Sequence, residues 1–216
     1  RFWAAGGDRL DGNQGQPVID SEGSIDGFEF LNILVNVDES SVLVPYGDSL
    51  DLFKSGQAGM LIASTGSLGE IRKEADFTFG AAPNPKGPVR RTTSMGGGYL
   101  MMFDHDEKIN DAAWDFVKFM VNTENTARMN IRTGYMPIRF SARESSKLQD
   151  FWKEVPQARA AVDGLPNARA RYTHTALNEI HDILARAVDD AILEQNLTPE
   201  AALKRAQKEA LEAVRK

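Results

Sequence analysis

The apolar run Met60-Leu61-Ile62-Ala63 passes without a spacer into Ser64-Thr65-Gly66-Ser67-Leu68-Gly69-Glu70-Ile71-Arg72. The compact apolar run 58–63, which these four residues end, reads as a strand, whereas the residues behind Ser67 take up helical spacing. A second run of strand length, 77–82, follows that short helix. Strand, turn, helix, strand reads as an α/β unit, and this order constrains the fold more than any other feature of the chain.

The turn itself carries chemistry. Small hydroxyl residues at a strand end, opening a helix, can aim hydroxyls and backbone N–H groups at one anionic or polyhydroxylated ligand. The plainer reading is a tight turn with an N-cap, in which Ser67 satisfies orphan amides. No G-x-x-x-x-G-K-[ST] or G-x-G-x-x-G is present, so a nucleotide site has no support.

The rest of the chain reads as alternating helices and extended segments. Residues 4–19 are rich in Gly, Asp and Gln and predict a turn or hairpin. Ile25, Phe28, Leu31, Leu34 and Val35 predict a surface helix over 24–37. Another helix is expected at 49–54, ended by Gly56. Pro83, Pro85 and Pro88 mark a loop, since proline supplies no ladder donor. Gly96-Gly97-Gly98 then opens the apolar run 99–103, a predicted strand entered through residues without a Cβ. Helices are predicted over 110–121, over Thr123–Thr133 with Gly134 behind it, over 175–191, and from Thr198-Pro199-Glu200 onward.

Composition narrows the function classes. The chain has 216 residues, enough for one large or two small domains, and a formal net charge of −6 with no Lys/Arg block. A nucleic-acid partner is therefore not expected, because phosphates need a concentrated positive footprint. Zero cysteines exclude a disulfide framework, a thiol nucleophile and a thiolate metal site. His105, His174 and His181 have no metal-ligand spacing, so neither a metal nor a cofactor is expected. No run reaches the roughly 18 apolar residues of a membrane helix, and the start at Arg1-Phe2-Trp3 has no signal-peptide layout and suggests that sequence upstream is missing. Tyr135, in "RTGYMPIRF", stands between a helix-ending glycine and a proline, where its ring either stacks on a ligand or fills a gap in the core. There is no G-x-S-x-G elbow, but an enzyme using Ser64 or His181 on a phosphorylated or glycosidic substrate stays open on residues alone.

Taken together, "LDLFKSGQAGMLIASTGSLGEIR", "TSMGGGYLMMF", "AAWDFVKFMVNTENTARMNIRTGYMPIR" and "LTPEAALKRAQKEALEAV" resemble the family 1 extracellular solute-binding proteins of ABC importers. "ASTGSLGEIR" and "TGYMPIR" are most similar to its glycerol-3-phosphate-binding branch. The resemblance runs from about Trp3 to the end and covers only the later part of such proteins, so it implies a C-terminal portion of a larger, non-enzymatic binding protein. The implied fold is α/β, the C-terminal lobe of a two-lobed type 2 periplasmic-binding-protein fold with hinge crossings. Residues 1–97 and 134–216 would belong to that lobe. Residues 98–133 would be an excursion into the N-terminal lobe, with hinges at 96–98 and Gly134.

Motif to motif, the resemblance places ligand contacts on Ser64, Ser67, Gly97 and Tyr135. It also places His181, in "NEIHDIL", where glycerol-3-phosphate binders carry a phosphate-supporting arginine. A neutral imidazole offers one donor instead of a charged fork, so phosphate affinity should fall unless His181 is protonated or another basic group substitutes. A neutral sugar, a polyol or a glycerophosphodiester thus stays open beside glycerol-3-phosphate. The implied partners are a small polar ligand and a membrane permease, and the implied setting is a periplasmic or surface-anchored monomer.

Overall fold

A computed structural model describes residues 2–12 and 15–215; Arg1, Lys216 and the tip of the predicted 4–19 hairpin, Asn13 and Gln14, lie outside the described residues. In chain order the elements are α1 (Phe2–Ala5), α2 (Glu22–Asn32), α3 (Tyr46–Lys54), α4 (Leu68–Glu74), β1 (Thr93–Met95), α5 (Glu107–Met120) and α6 (Thr123–Thr133). There follow α7 (Phe140–Arg143), α8 (Ser146–Glu154), α9 (Ala160–Asp163), β2 (Ala168–Ala170), α10 (Leu177–Val188) and α11 (Pro199–Ala213). β1 and β2 pair as a two-stranded ladder. The chain divides into two compact units, one of 1–44, 85–95 and 169–216, the other of 45–84 and 96–168.

The first unit is built on the helical hairpin of α10 and α11. Ile180, Ile183, Leu184 and Ala187 form the inner stripe of α10, and Ala202, Leu203, Ala206, Ala210 and Ala213 that of α11. The spacing is the 3.6-residue period, and the alanines let the two helices approach closely. Thr198 caps α11 by accepting the Ala201 N–H, and Pro199 takes the first helical position. Leu10, Ile19 and Phe28 complete the core. The hairpin carrying Leu10 closes by a bridge to Pro17. Gln207 clamps it from α11, accepting the Ile19 N–H at 2.7 Å and donating to Pro17 O at 2.8 Å.

The second unit has two smaller cores. Leu50, Phe53 and Ile71 pack with Phe77 and Phe79, whose rings meet Phe53 edge-on at 5.5 and 6.0 Å. Lys54 holds this corner through Glu70 (2.5 Å), Asp51 (2.9 Å) and Glu74 (2.9 Å), contacts that keep its ammonium protonated well above the ordinary lysine range. Ala127, Ala142, Leu148, Trp152 and Ala158 form the other core. At its centre fully buried Asn130 accepts the Trp152 Nε1–H at 3.0 Å.

The predicted helices are present, but the predicted strands 58–63, 77–82 and 99–103 are not in a ladder. The reason is physical: a strand is defined by its neighbour, and among the described residues these runs have none. Phe77 and Phe79 keep the strand-like alternation, half-buried against an exposed Thr78. Tyr99, Met101 and Phe103 are bare, each more than 80% exposed (85%, 81% and 82%). The neighbouring helix α5 carries exposed Ile109, Trp114, Phe116 and Phe119 and buries no residue.

Candidate functional site

Ser64 to Gly69 fold as the sequence suggests, with one exchange of roles. Ser64 is extended (φ −67°, ψ 141°) and caps the 3₁₀ turn Thr65–Ser67, its Oγ accepting the Gly66 N–H at 3.2 Å. The capping role expected of Ser67 therefore belongs to Ser64. Ser67 is buried instead, and its Oγ lies 2.7 Å from the hydroxyl of Tyr46. The same hydroxyl accepts the Ser64 N–H at 3.1 Å, so one phenol ties both ends of the turn. Tyr46 went unmarked in the sequence because nothing local to Pro45-Tyr46 signals a partner some twenty residues on.

Tyr135 closes over this turn. A Cβ added at Gly66 would stand 2.5 and 2.8 Å from its ring atoms Cε2 and Cε1, so the ring rests on the bare glycine backbone. Its mount is stiff. Gly134, left-handed at φ +89°, ends α6 and donates its N–H to Asn130 O at 2.7 Å. The Tyr135 N–H donates to Thr133 Oγ1 at 3.1 Å, and its carbonyl accepts from Asn130 Nδ2 at 2.9 Å. Asn130 thus carries the buried Trp152 on one side and the tyrosine backbone on the other. The ring stays half exposed (49%). One exposed aromatic face and the hydroxyl turn beneath it are thereby held together.

Gly97 is not brought against this group: a Cβ placed there meets nothing within 4 Å.

His181 lies in the first unit, in the opening turns of α10. Its Nε2 stands 3.3 Å from Nη1 of Arg9. Because an arginine can only donate, Nε2 is the acceptor and the neutral ring carries its proton on Nδ1. Desolvation lowers the pKa of His181, and the positive charges of Arg9 and Arg171 lower it further against the pull of Asp182. Arg9 is itself depressed by burial and then by Arg171, with Asp8 opposing. Arg9 was passed over in the sequence because "GGDRLDG" reads only as turn.

Asp8 organises the ground under this cluster. It accepts the Trp3 Nε1–H (2.6 Å), the Arg9 N–H (2.8 Å), the Tyr172 hydroxyl (2.7 Å) and Arg169 Nη2 (3.2 Å). The guanidinium of Arg169 also stacks 4.7 Å above the Trp3 ring. His105 and His174 are held locally: the His105 N–H donates to Asn110 Oδ1, and His174 Nδ1 accepts the Ala176 N–H. Among the described residues no group of three His, Cys, Asp or Glu side chains could hold a metal ion.

The family model described as bacterial extracellular solute-binding protein matches residues 2–160. The chain belongs to that family. Among curated relatives, the sn-glycerol-3-phosphate-binding periplasmic protein UgpB of Pectobacterium atrosepticum is 31% identical over 120 residues, 53% of this chain and 27% of that protein. UgpB of Yersinia pestis is 27% identical over 173 residues, 71% and 39% of the two lengths. The solved structure of UgpB from Mycobacterium tuberculosis in complex with glycerophosphocholine superposes with a TM-score of 0.82 at 24% identity, covering 99% of this chain and 54% of that one. MalE from Bdellovibrio bacteriovorus bound to maltotriose gives 0.83 at 23%, over 100% and 56%. These likenesses establish the fold, an α/β part of a MalE-like solute-binding protein. This family member spans well under half the length of those two curated relatives and about half that of the solved structures. No helix among the described residues is long and apolar enough to cross a membrane.

Proposed function

We propose that this chain is the C-terminal portion of the solute-binding component of an ABC importer, for a small carbohydrate-like ligand: a sugar, a polyol, glycerol-3-phosphate or a glycerophosphodiester. The observation that carries the reading is the Tyr135 ring seated on Gly66 above the Ser64–Ser67 turn. An exposed aromatic face for C–H groups beside hydroxyl partners is what a polyhydroxylated ligand needs. Ser64 and Tyr135 contact the ligand, Ser67 holds the turn through Tyr46, and the Gly97 backbone admits close approach. Relatives named for glycerol-3-phosphate and neighbours bound to glycerophosphocholine or maltotriose support this ligand class.

In this reading 1–97 and 134–216 belong to one lobe, and 98–133 is an excursion into the other, with hinges at 96–98 and Gly134. The bare apolar surfaces of 99–103 and α5 are then faces that the rest of that second lobe covers. The protein works as an extracytoplasmic monomer, in the periplasm or anchored at the surface, and its closed form docks on a membrane permease. A ligand favours closure by binding the closed state more tightly. The ligand leaves unchanged in this reading, which the match to a solute-binding family supports.

Calorimetric titration of the full-length protein with glycerol-3-phosphate, glycerophosphocholine and maltose tests the reading, with NMR of the recovered ligand. Saturable one-site binding with the ligand intact is expected. Consumption of the ligand, or no binding across the panel, would sink it.

A further inference from the structure

Tyr46 stands 18 residues ahead of Ser64 and is fixed independently of it. Pro45 leads into α3 with extended backbone, and the Tyr46 carbonyl, in the first turn of that helix, accepts from Ser49 Oγ at 2.7 Å. Further along α3, Leu50 and Phe53 pack with Ile71 of α4, and Lys54 pairs with Glu70 and Glu74 of α4 at 2.5 and 2.9 Å. The far end of α3 is thus anchored on α4, and its first residue reaches back to the turn that opens α4.

Within that turn the backbone donors are spent internally. The Ser64 N–H goes to the Tyr46 hydroxyl at 3.1 Å, the Gly66 N–H to Ser64 Oγ at 3.2 Å, the Ser67 N–H to the Ser64 carbonyl at 3.1 Å, and the Leu68 N–H to the Thr65 carbonyl. What the surface keeps is hydroxyl: Ser64 and Thr65 are exposed, and Ser64 Oγ, having accepted from Gly66, retains its own O–H to donate. The run 58–63 has no ladder neighbour among the described residues, so no strand pairing there holds the chain where it leaves at Ser64. The phenol brings a tie from a separate helix instead, with Ser64 on one side and buried Ser67 Oγ on the other, 2.7 Å away.

We propose that Tyr46 is a positioning residue of this site: by taking the Ser64 N–H and bracing Ser67 it fixes the extended backbone of Ser64, so that a ligand meets the Ser64 hydroxyl and not the backbone amide. The inference rests on the solute-binder reading above and adds to it a residue that acts through Ser64. A contacting group is effective only when its direction is locked by the residues behind it, and the phenol supplies that lock.

The test uses the full-length protein with Tyr46→Phe, Ser64→Ala, the double variant and Lys54→Met, each titrated with glycerol-3-phosphate, glycerophosphocholine and maltose, and each checked for folding by thermal unfolding. Tyr46→Phe keeps the ring and removes the hydroxyl. It should weaken binding of whichever of these the unmodified protein takes by about tenfold, Ser64→Ala at least as much, and the double variant no more than Ser64→Ala alone. Lys54→Met, which loosens α3 away from the turn, should lower Tm and change affinity by less than about twofold. Without any ligand, NMR should show the Ser64 amide proton exchanging faster in Tyr46→Phe while the amides of α3 keep their rates. Tyr46→Phe binding like the parent, or losses that add in the double variant, would overturn the positioning role and leave the solute-binder reading standing. Equal weakening by Lys54→Met would mark a general softening of the fold and do the same, and an unchanged exchange rate would refute the hydrogen bond itself. If Tyr46→Phe does not fold, Ser67→Ala takes its place, since it withdraws the brace from the phenol; unchanged exchange at Ser64 and unchanged affinity in that variant would overturn the proposal. No binding by the unmodified protein would overturn both readings.

Discussion

A methyl group at Gly66 is the most direct probe of the Tyr135 platform. The added Cβ would lie 2.5–2.8 Å from ring atoms Cε2 and Cε1, well inside van der Waals contact. Overpacking of this kind costs about 1–3 kcal/mol where neighbours cannot move. Here the ring is half exposed and can swing out, which puts the loss near the lower end, about 1 kcal/mol, once the roughly 0.4–1 kcal/mol gained by stiffening the unfolded chain is deducted. Removing the ring reverses the sign. In a Tyr135→Ala background nothing opposes the new methyl, and Gly66→Ala should stabilise by that same 0.4–1 kcal/mol. Calorimetric Tm values of the four proteins in the cycle give the coupling, about 1.5–2 kcal/mol, at ~2–4 °C per kcal/mol for a chain of this size. Ligand affinity should follow: Gly66→Ala weakens binding three- to tenfold, Tyr135→Ala at least as much, and the pair no more than Tyr135→Ala alone. The same sign and size of Tm shift in both backgrounds would refute the contact, and additive affinity losses would refute the claim that Gly66 acts through the ring.

Three further outcomes are expected. Asn130→Ala strips a buried acceptor from Trp152 and a donor from the Tyr135 carbonyl, and should lower stability by about 2–4 kcal/mol in denaturant unfolding. Gly97→Ala points a methyl into open space at ordinary φ and should leave the unliganded protein within about 0.5 kcal/mol by the same measurement, while reducing ligand affinity. His181, held below its ordinary pKa of 6.5 by desolvation and then by Arg9 and Arg171, contributes stability that is fully present above about pH 6.5 and is lost as pH falls through the lowered folded value. Stability of a His181→Gln variant should therefore decline less than that of the parent between pH 7 and 5 when both are followed by urea titration, and parallel profiles would contradict this.

How much of this was legible depended on the range of the interactions that fix each feature. The bounds of α6 were readable to the residue because they are local: Asn122 caps its start, and Gly134 adopts at its end the left-handed backbone that glycine accepts. The start of α11 was readable for the same reason, from Thr198 and Pro199. The hydroxyl turn was legible as a turn, but the assignment of the cap to Ser67 erred because Tyr46 claims that hydroxyl from a different helix. Arg9 and Arg171 carry no local signal either, since one sits in a glycine-rich hairpin and the other behind a three-residue strand.

The strand-like runs make the complementary case. Compact apolar runs at 58–63, 77–82 and 99–103 predict burial on at least one side, and that prediction concerns the environment of the side chains before it concerns their hydrogen bonds. Where the described residues supply that environment, as Phe53 and Ile71 do for Phe77 and Phe79, the alternation appears in burial even without a ladder. Where they do not, at 99–103, an apolar run leaves all five of its side chains exposed, Tyr99, Met101 and Phe103 most of all. Fully covering each would contribute about 1.5–3 kcal/mol. Together with the bare face of α5, these residues form an exposed apolar surface of the kind that marks an interaction face, and the lobe assignment proposed for 98–133 would account for it.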